Sequence, residues 1–148
     1  MADVVDSATR SRMMSGIRGR NTKPERVIRS LLHREGFRFR LHARDLPGKP
    51  DLILPRYNAA IFVNGCFWHG HDCRLFKWPG TRIEFWRMKI GRNQANDAKV
   101  RLALREAGWR VGTIWECALR GADKDLGKLT RQTGHWLRSK SGELEIRE

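Results

Sequence analysis

Few cysteines, a single tyrosine and a minority of acidic residues set the first limits on this 148-residue chain. Three cysteines cannot all pair within one chain, so a disulfide framework is excluded as the organising principle, and thiolate ligation of a metal is the better account of Cys66, Cys73 and Cys117. No apolar run approaches the ~18–20 residues of a membrane span, and the opening MADVVDSATRSR has no continuous apolar block of the secretory kind. A soluble, cytoplasmic protein without membrane contact is therefore expected. Acids are scarce beside bases: 16 Asp and Glu face 30 Lys and Arg, a formal charge of +14. A folded domain with that excess carries a continuous positive surface, and a polyanion is its natural partner. Arginine outnumbers lysine, and its planar fork matches phosphates and guanine edges, so nucleic acid leads over a lipid surface, which would call for a basic amphipathic helix.

What is present fits one globular domain: 40% apolar and 9% aromatic residues suffice for a core. Repeats and low-complexity segments are absent. Residues 1–20 read as a basic arm with Met13, Met14 and Ile17 on one side of a short helix, and residues 21–138 as the folded domain. Thr22 and Glu25 have capping-box spacing, Pro24 suits a first turn, and Val27, Ile28, Leu31 and Leu32 form an apolar stripe, which predicts a helix ending before Gly36. Strands are expected over residues 37–41, 51–54, 59–63 and 109–115, and the 59–63 run, apolar throughout, reads as covered on both faces. Residues 66–80 read as an irregular loop, residues from Thr81 as helical with an interruption near Gly91 and a stripe ending at Gly108, and Leu126 to Leu137 as a last helix. Residues 139–148 are expected to fray as a tail. The fold class is α/β, a small mixed sheet between helices.

The stretch NGCFWHGHDC, residues 64–73, concentrates the chemistry. Cys66, His71 and Cys73, with Cys117 far along the chain, supply three sulfurs and one imidazole, the ligand set of a structural zinc site; His69 can replace His71, and the bland alternative is a pair of ordinary buried thiols. Whichever histidine is left over is a candidate for chemistry. Asp51 stands at the mouth of an apolar strand after a proline turn, where a carboxylate either holds Mg2+ or caps the turn. Glu25 is explained by the capping box, and Asp97, read as the head of a helical segment, either serves the helix N-terminus or orients an imidazole.

Together, Pro50-Asp51, the segment Phe62-Val63-Asn64-Gly65-Cys66-Phe67-Trp68-His69, Glu84-Phe85-Trp86, Lys89-Ile90-Gly91 and Trp115-Glu116-Cys117-Ala118-Leu119-Arg120 resemble the very short patch repair (Vsr) DNA mismatch endonucleases, over residues 8–136. The resemblance implies a restriction-endonuclease-like, PD-(D/E)xK-type fold and a Mg2+-dependent hydrolase that nicks one strand beside the T of a T:G mismatch in double-stranded DNA, the lesion left by deaminated 5-methylcytosine. It implies Asp51 and the main-chain carbonyl of Val63 as ligands of the catalytic Mg2+, His69 as general base, Glu25 organising the surrounding waters, and Asp97 among the catalytic residues. It gives Cys66, His71, Cys73 and Cys117 to structural Zn2+, and makes Phe67, Trp68 and Trp86, with Met14 and Ile17 from the arm, a wedge entering the base stack. A monomer in contact with other mismatch-repair proteins is the matching partner expectation. The sequence departs from the wider fold in lacking a second acid and a lysine over residues 59–64, a role left to His69; relatives often carry threonine and histidine where Val63 and Asn64 stand, and Asn64 cannot act as a base. The rival readings are a sequence-specific duplex endonuclease and a zinc-stapled DNA-binding protein without activity.

Overall fold

The computed structural model describes residues 22–148; the 1–20 arm, with Met14 and Ile17, lies outside the described residues. Helix α1 (Lys23–Arg34) begins where Thr22 Oγ1 accepts the Glu25 N–H at 3.4 Å, with Pro24 in the first turn and His33 and Arg34 in the last. Strands β1 (Arg40–Leu41), β2 (Leu52–Leu54) and β3 (Ala59–Asn64) follow, then α2 (Ile83–Glu106), β4 (Arg110–Trp115), α3 (Leu126–Arg138) and β5 (Glu143–Ile146). The five strands lie in sequence order; β1, β2 and β3 are antiparallel neighbours, and β3, β4 and β5 run parallel. The fold is thus mixed α/β, as the sequence predicts.

Both sheet faces are covered, which is why β2 and β3 are apolar without alternation. Ile28 and Leu32 of α1 and Leu129, Trp136 and Leu137 of α3 pack on Leu52, Leu54, Ile61 and Ile114, whereas Leu104 of α2 packs on the opposite set, Ile53, Ala60 and Val111. Gly112 lets the Trp136 indole lie on β4: a Cβ there would stand 3.1 Å from the ring.

Several expectations are corrected. The segment 139–148 is not a frayed tail. Arg110 donates to the carbonyls of Trp136, Leu137 and Ser141, fixing the chain beyond α3 beside β4, and Glu143–Ile146 then pairs with residues 111–114 and buries Ile146. Gly91 does not interrupt α2; it is exposed and needs no neighbour, and the helix is continuous for 24 residues. Asp97 consequently sits inside α2 rather than at a helix head. The strand expected over residues 37–41 contracts to Arg40–Leu41. Residues 65–82 contain neither helix nor strand, as expected of the loop that carries the candidate ligands.

Candidate active site and metal centre

Asp51 precedes β2, and the antiparallel register that sets Leu52 against Ile61 brings it to the C-terminal end of β3. There the Val63 N–H donates to Asp51 Oδ2 at 2.7 Å. Glu25, 2% exposed on the first turn of α1, approaches from the other side; its Oε2 accepts from Arg29 Nη2 at 3.0 Å and lies 3.2 Å from His42 Nε2. Burial, reinforced by the neighbouring Glu25 charge, lifts the Asp51 carboxyl from 3.8 to about 7. Glu25 is therefore more than a capping residue: Glu25, His42 and Asp51 each bring one ligand atom, all within 4.8 Å of one another. Two carboxylates held against their own repulsion fit a divalent cation, whose charge would offset both. His42 and Arg29 went unmarked in the sequence. The register pairing Leu41 with Leu52 is what brings residue 42 opposite Asp51, and the length of the intervening turn does not reveal it.

The loop after β3 divides its two histidines. His69 Nδ1 lies 2.5 Å from Asp97 Oδ2, an imidazole oriented by a carboxylate on α2. His71 turns the other way, its ring stacked on Trp115 at 3.8 Å and its Nδ1 3.6 Å from Cys117 Sγ. Gly70 makes the division possible: its φ is +58°, and a Cβ there would meet Ile90 at 2.6 Å and Gln94 at 2.7 Å. Two α2 side chains fix the loop backbone, Asn93 donating to the Trp68 carbonyl at 2.7 Å and Gln94 to that of His69 at 3.1 Å. Neither belongs to a motif, and no sequence signal singles them out.

Cys66, His71, Cys73 and Cys117 converge, each with one ligand atom within 4.8 Å of the others. The 3.6 Å nitrogen-to-sulfur separation equals the edge of a tetrahedron with Zn–N and Zn–S bonds of about 2.05 and 2.3 Å. Two backbone amides point at the sulfurs, Cys117 N–H at Cys66 Sγ (3.3 Å) and Glu148 N–H at Cys117 Sγ (3.4 Å). Burial pushes the Cys66 and Cys117 thiols up and holds His71 in its neutral, ligating form. A soft divalent cation would supply the charge that three thiolates need. The expected ligand set comes together, with His71 rather than His69 as its nitrogen.

Phe67, Trp68 and Trp86 are half-buried and pack on one another, with ring centroids 5.2, 5.2 and 5.9 Å apart. The cluster continues through Phe76 to Trp78 and from Trp86 to Phe85, and these outer members, Trp78 at 49% and Phe85 at 42%, are more exposed than the three predicted from sequence.

The chain is similar to known proteins. The family described as DNA mismatch endonuclease Vsr matches residues 2–75. The DNA mismatch endonuclease Vsr of Escherichia coli (strain K12) is 46% identical over 147 residues, 99% of this chain and 94% of the relative. The chain belongs to the Vsr family. Type II nicking enzyme V.XorIIP of Xanthomonas oryzae pv. oryzae is 46% identical over 129 residues, covering 87% of this chain and 92% of the relative. Type II nicking enzyme V.NmeAIP of Neisseria meningitidis is 38% identical over 135 residues, with 89% and 96% covered. Among the described residues, no helix is long and apolar enough to cross a membrane.

Proposed function

We propose that the chain is a DNA mismatch endonuclease that nicks one strand beside the T of a T:G mismatch in double-stranded DNA, beginning the repair of deaminated 5-methylcytosine. The observation that carries this reading is the pairing, at one end of the sheet, of a carboxylate couple, buried Glu25 and half-buried Asp51, with a carboxylate-oriented imidazole, His69 on Asp97, on a loop whose cysteines and His71 converge. The E. coli relative is named a DNA mismatch endonuclease. The fold we assign is the restriction-endonuclease-like PD-(D/E)xK type.

Asp51 and the Val63 carbonyl would hold Mg2+, which supplies, when bound, positive charge to polarise the phosphate and stabilise the departing oxygen. Glu25 orders water on the α1 side of Asp51. Asp97 fixes His69 through Nδ1, leaving Nε2 to take a proton from the attacking water. Water adds to phosphorus, the bond from phosphorus to the 3' oxygen breaks, and the products are a 3'-hydroxyl and a 5'-phosphate. Cys66, His71, Cys73 and Cys117 would hold Zn2+ and so stiffen the loop bearing Phe67, Trp68 and His69. Phe67, Trp68 and Trp86 act as a wedge, with Met14 and Ile17 of the arm approaching from the other groove. Opening a base step requires a few kcal/mol, least where pairing is already poor, and that difference supplies mismatch selectivity. The enzyme works as a cytoplasmic monomer, in contact with other mismatch-repair proteins.

The test is nicking of T:G and matched duplexes with Mg2+ under identical conditions. Strong preference for the T:G duplex, lost in Asp51→Ala with DNA binding retained, is expected. Equal cutting of both duplexes would refute mismatch specificity, and undiminished nicking by Asp51→Ala would remove Asp51 from the mechanism.

A further inference from the structure

One side chain at the Asp51 end of the sheet has no part in the chemistry above. His42 follows β1, and its Nε2 stands 3.2 Å from Glu25 Oε2. Neighbouring ligands around a divalent cation with bonds of about 2.2 Å stand about 3.1 Å apart. Glu25, His42 and Asp51 come from three separate elements, the first turn of α1, the residue after β1 and the residue before β2, yet their ligand atoms lie within 4.8 Å of one another.

The backbone holds the ring there under strain. His42 has φ +50°, the left-handed region that residues with a Cβ rarely adopt, and its N–H donates to the Asp51 carbonyl oxygen at 3.1 Å. Such strain survives where the surroundings over-determine it, and ligand clamps are among the places where it collects. The backbone that carries the imidazole is thus tied to the main chain of Asp51, whose carboxylate oxygen lies within 4.8 Å of a ring nitrogen.

A positive group already sits against the same two atoms. Arg29 Nη2 is 3.0 Å from Glu25 Oε2 and 3.2 Å from His42 Nε2. Arg29 also lines an open groove of about 500 Å³ with Arg26, His33 and Arg34, so its guanidinium has somewhere to withdraw when a cation enters.

We propose that Glu25, His42 and Asp51 form a divalent-cation site with a nitrogen ligand, so that this chain binds Mn2+ in preference to Mg2+. Mg2+ favours an all-oxygen shell, whereas imidazole suits first-row transition cations. The inference rests on the reading of Asp51 as a cation ligand; it replaces the water-ordering role of Glu25 by direct ligation and adds His42 and a metal preference.

The experiment uses full-length, zinc-loaded protein without DNA, so that Mn2+ does not enter the cysteine cluster, and follows Mn2+ binding by electron paramagnetic resonance with Mg2+ as competitor. Wild type should show nitrogen coupling to the bound Mn2+ in pulsed spectra. His42→Asn is the informative variant because asparagine tolerates a left-handed φ; His42→Gly relieves the same backbone and serves as its check. Both should weaken Mn2+ at least about tenfold, move the Mn2+ to Mg2+ affinity ratio toward Mg2+, and abolish the nitrogen coupling. Wild-type spectra without nitrogen coupling, or coupling and affinity ratio unchanged in His42→Asn, would overturn the site. Nicking of T:G duplex with Mg2+ alongside that negative result would sink the His42 ligand alone, whereas nitrogen coupling without any nicking would sink the endonuclease reading alone.

Discussion

Replacing Asp51 by asparagine should stabilise the protein while destroying its activity. The carboxyl stands at about 7 in the folded chain against 3.8 for the ordinary group, because burial and the adjacent Glu25 both disfavour its charge. A folded-state value above the unfolded one means that the proton favours folding: the contribution of this group to stability is fully present below about pH 4 and is lost as pH rises through about 7. At 1.36 kcal/mol per tenfold change, the ionised carboxylate costs about 4 kcal/mol at pH 8, and about 2 kcal/mol after allowance for water penetration and local relaxation. Asparagine keeps an oxygen for the Val63 N–H and carries no charge, so it removes that cost. The assay is thermal or urea unfolding of zinc-loaded wild type and Asp51→Asn from pH 4 to pH 8, without added Mg2+. The variant should gain roughly 5 °C or more at pH 8 and nothing at pH 4. Added Mg2+ should raise the wild type and leave the variant unmoved. A variant no more stable than wild type at pH 8, or a gain independent of pH, would refute the argument that Asp51 is held against its own charge.

Gly70→Ala should lower stability by about 1–3 kcal/mol and nicking more than tenfold, since φ +58° and the contacts with Ile90 and Gln94 both exclude a Cβ; parallel melting and single-turnover assays check this. Cys117→Ser should abolish stoichiometric zinc, expected at about one ion per chain by elemental analysis, and sharply lower the melting temperature; a metal-free wild type that melts unchanged would contradict the cluster. Trp86→Ala removes the ring packed on both Phe67 and Trp68 and should reduce the preference for T:G over matched duplex more than it reduces affinity for matched duplex, as measured by competition binding.

Much of this architecture can be read from patterns that depend only on neighbours along the chain. The Thr22 cap and its stripe mark α1, and the unbroken apolar run at residues 59–63 announces a strand covered twice, as the packing on both faces bears out. The four members of the cysteine-histidine cluster are legible because few residue types suit a soft metal and the chain has few cysteines to spare. What escapes the sequence depends on partners far away. The ELEI strand of β5 is too short and too charged to signal itself, and it forms because Arg110, some thirty positions earlier, secures the approach to it. His42 belongs to the Asp51 end only through hairpin register. Asp97 looks like a helix-head acid until α2 proves continuous through Gly91, which places it on the stretch of the helix that meets His69.

The division of labour between His69 and His71 shows why spacing alone could not assign them. Both lie within a few residues of Cys66 and Cys73, and both are chemically fit to ligate. The sign of one dihedral, at Gly70, decides which ring turns to the sulfurs and which to Asp97, and the two carbonyls just before that turn, of Trp68 and His69, are held by Asn93 and Gln94. A loop with no helix or strand of its own would otherwise carry the entropy of many conformers, roughly 1–2 kcal/mol per residue ordered. The cysteine-histidine cluster at one end and the α2 amides at the other confine it, so an imidazole and an aromatic pair can be presented from irregular backbone with the fixity usually reserved for helices and strands. Loosening either restraint should therefore damage catalysis even where every reacting group is retained.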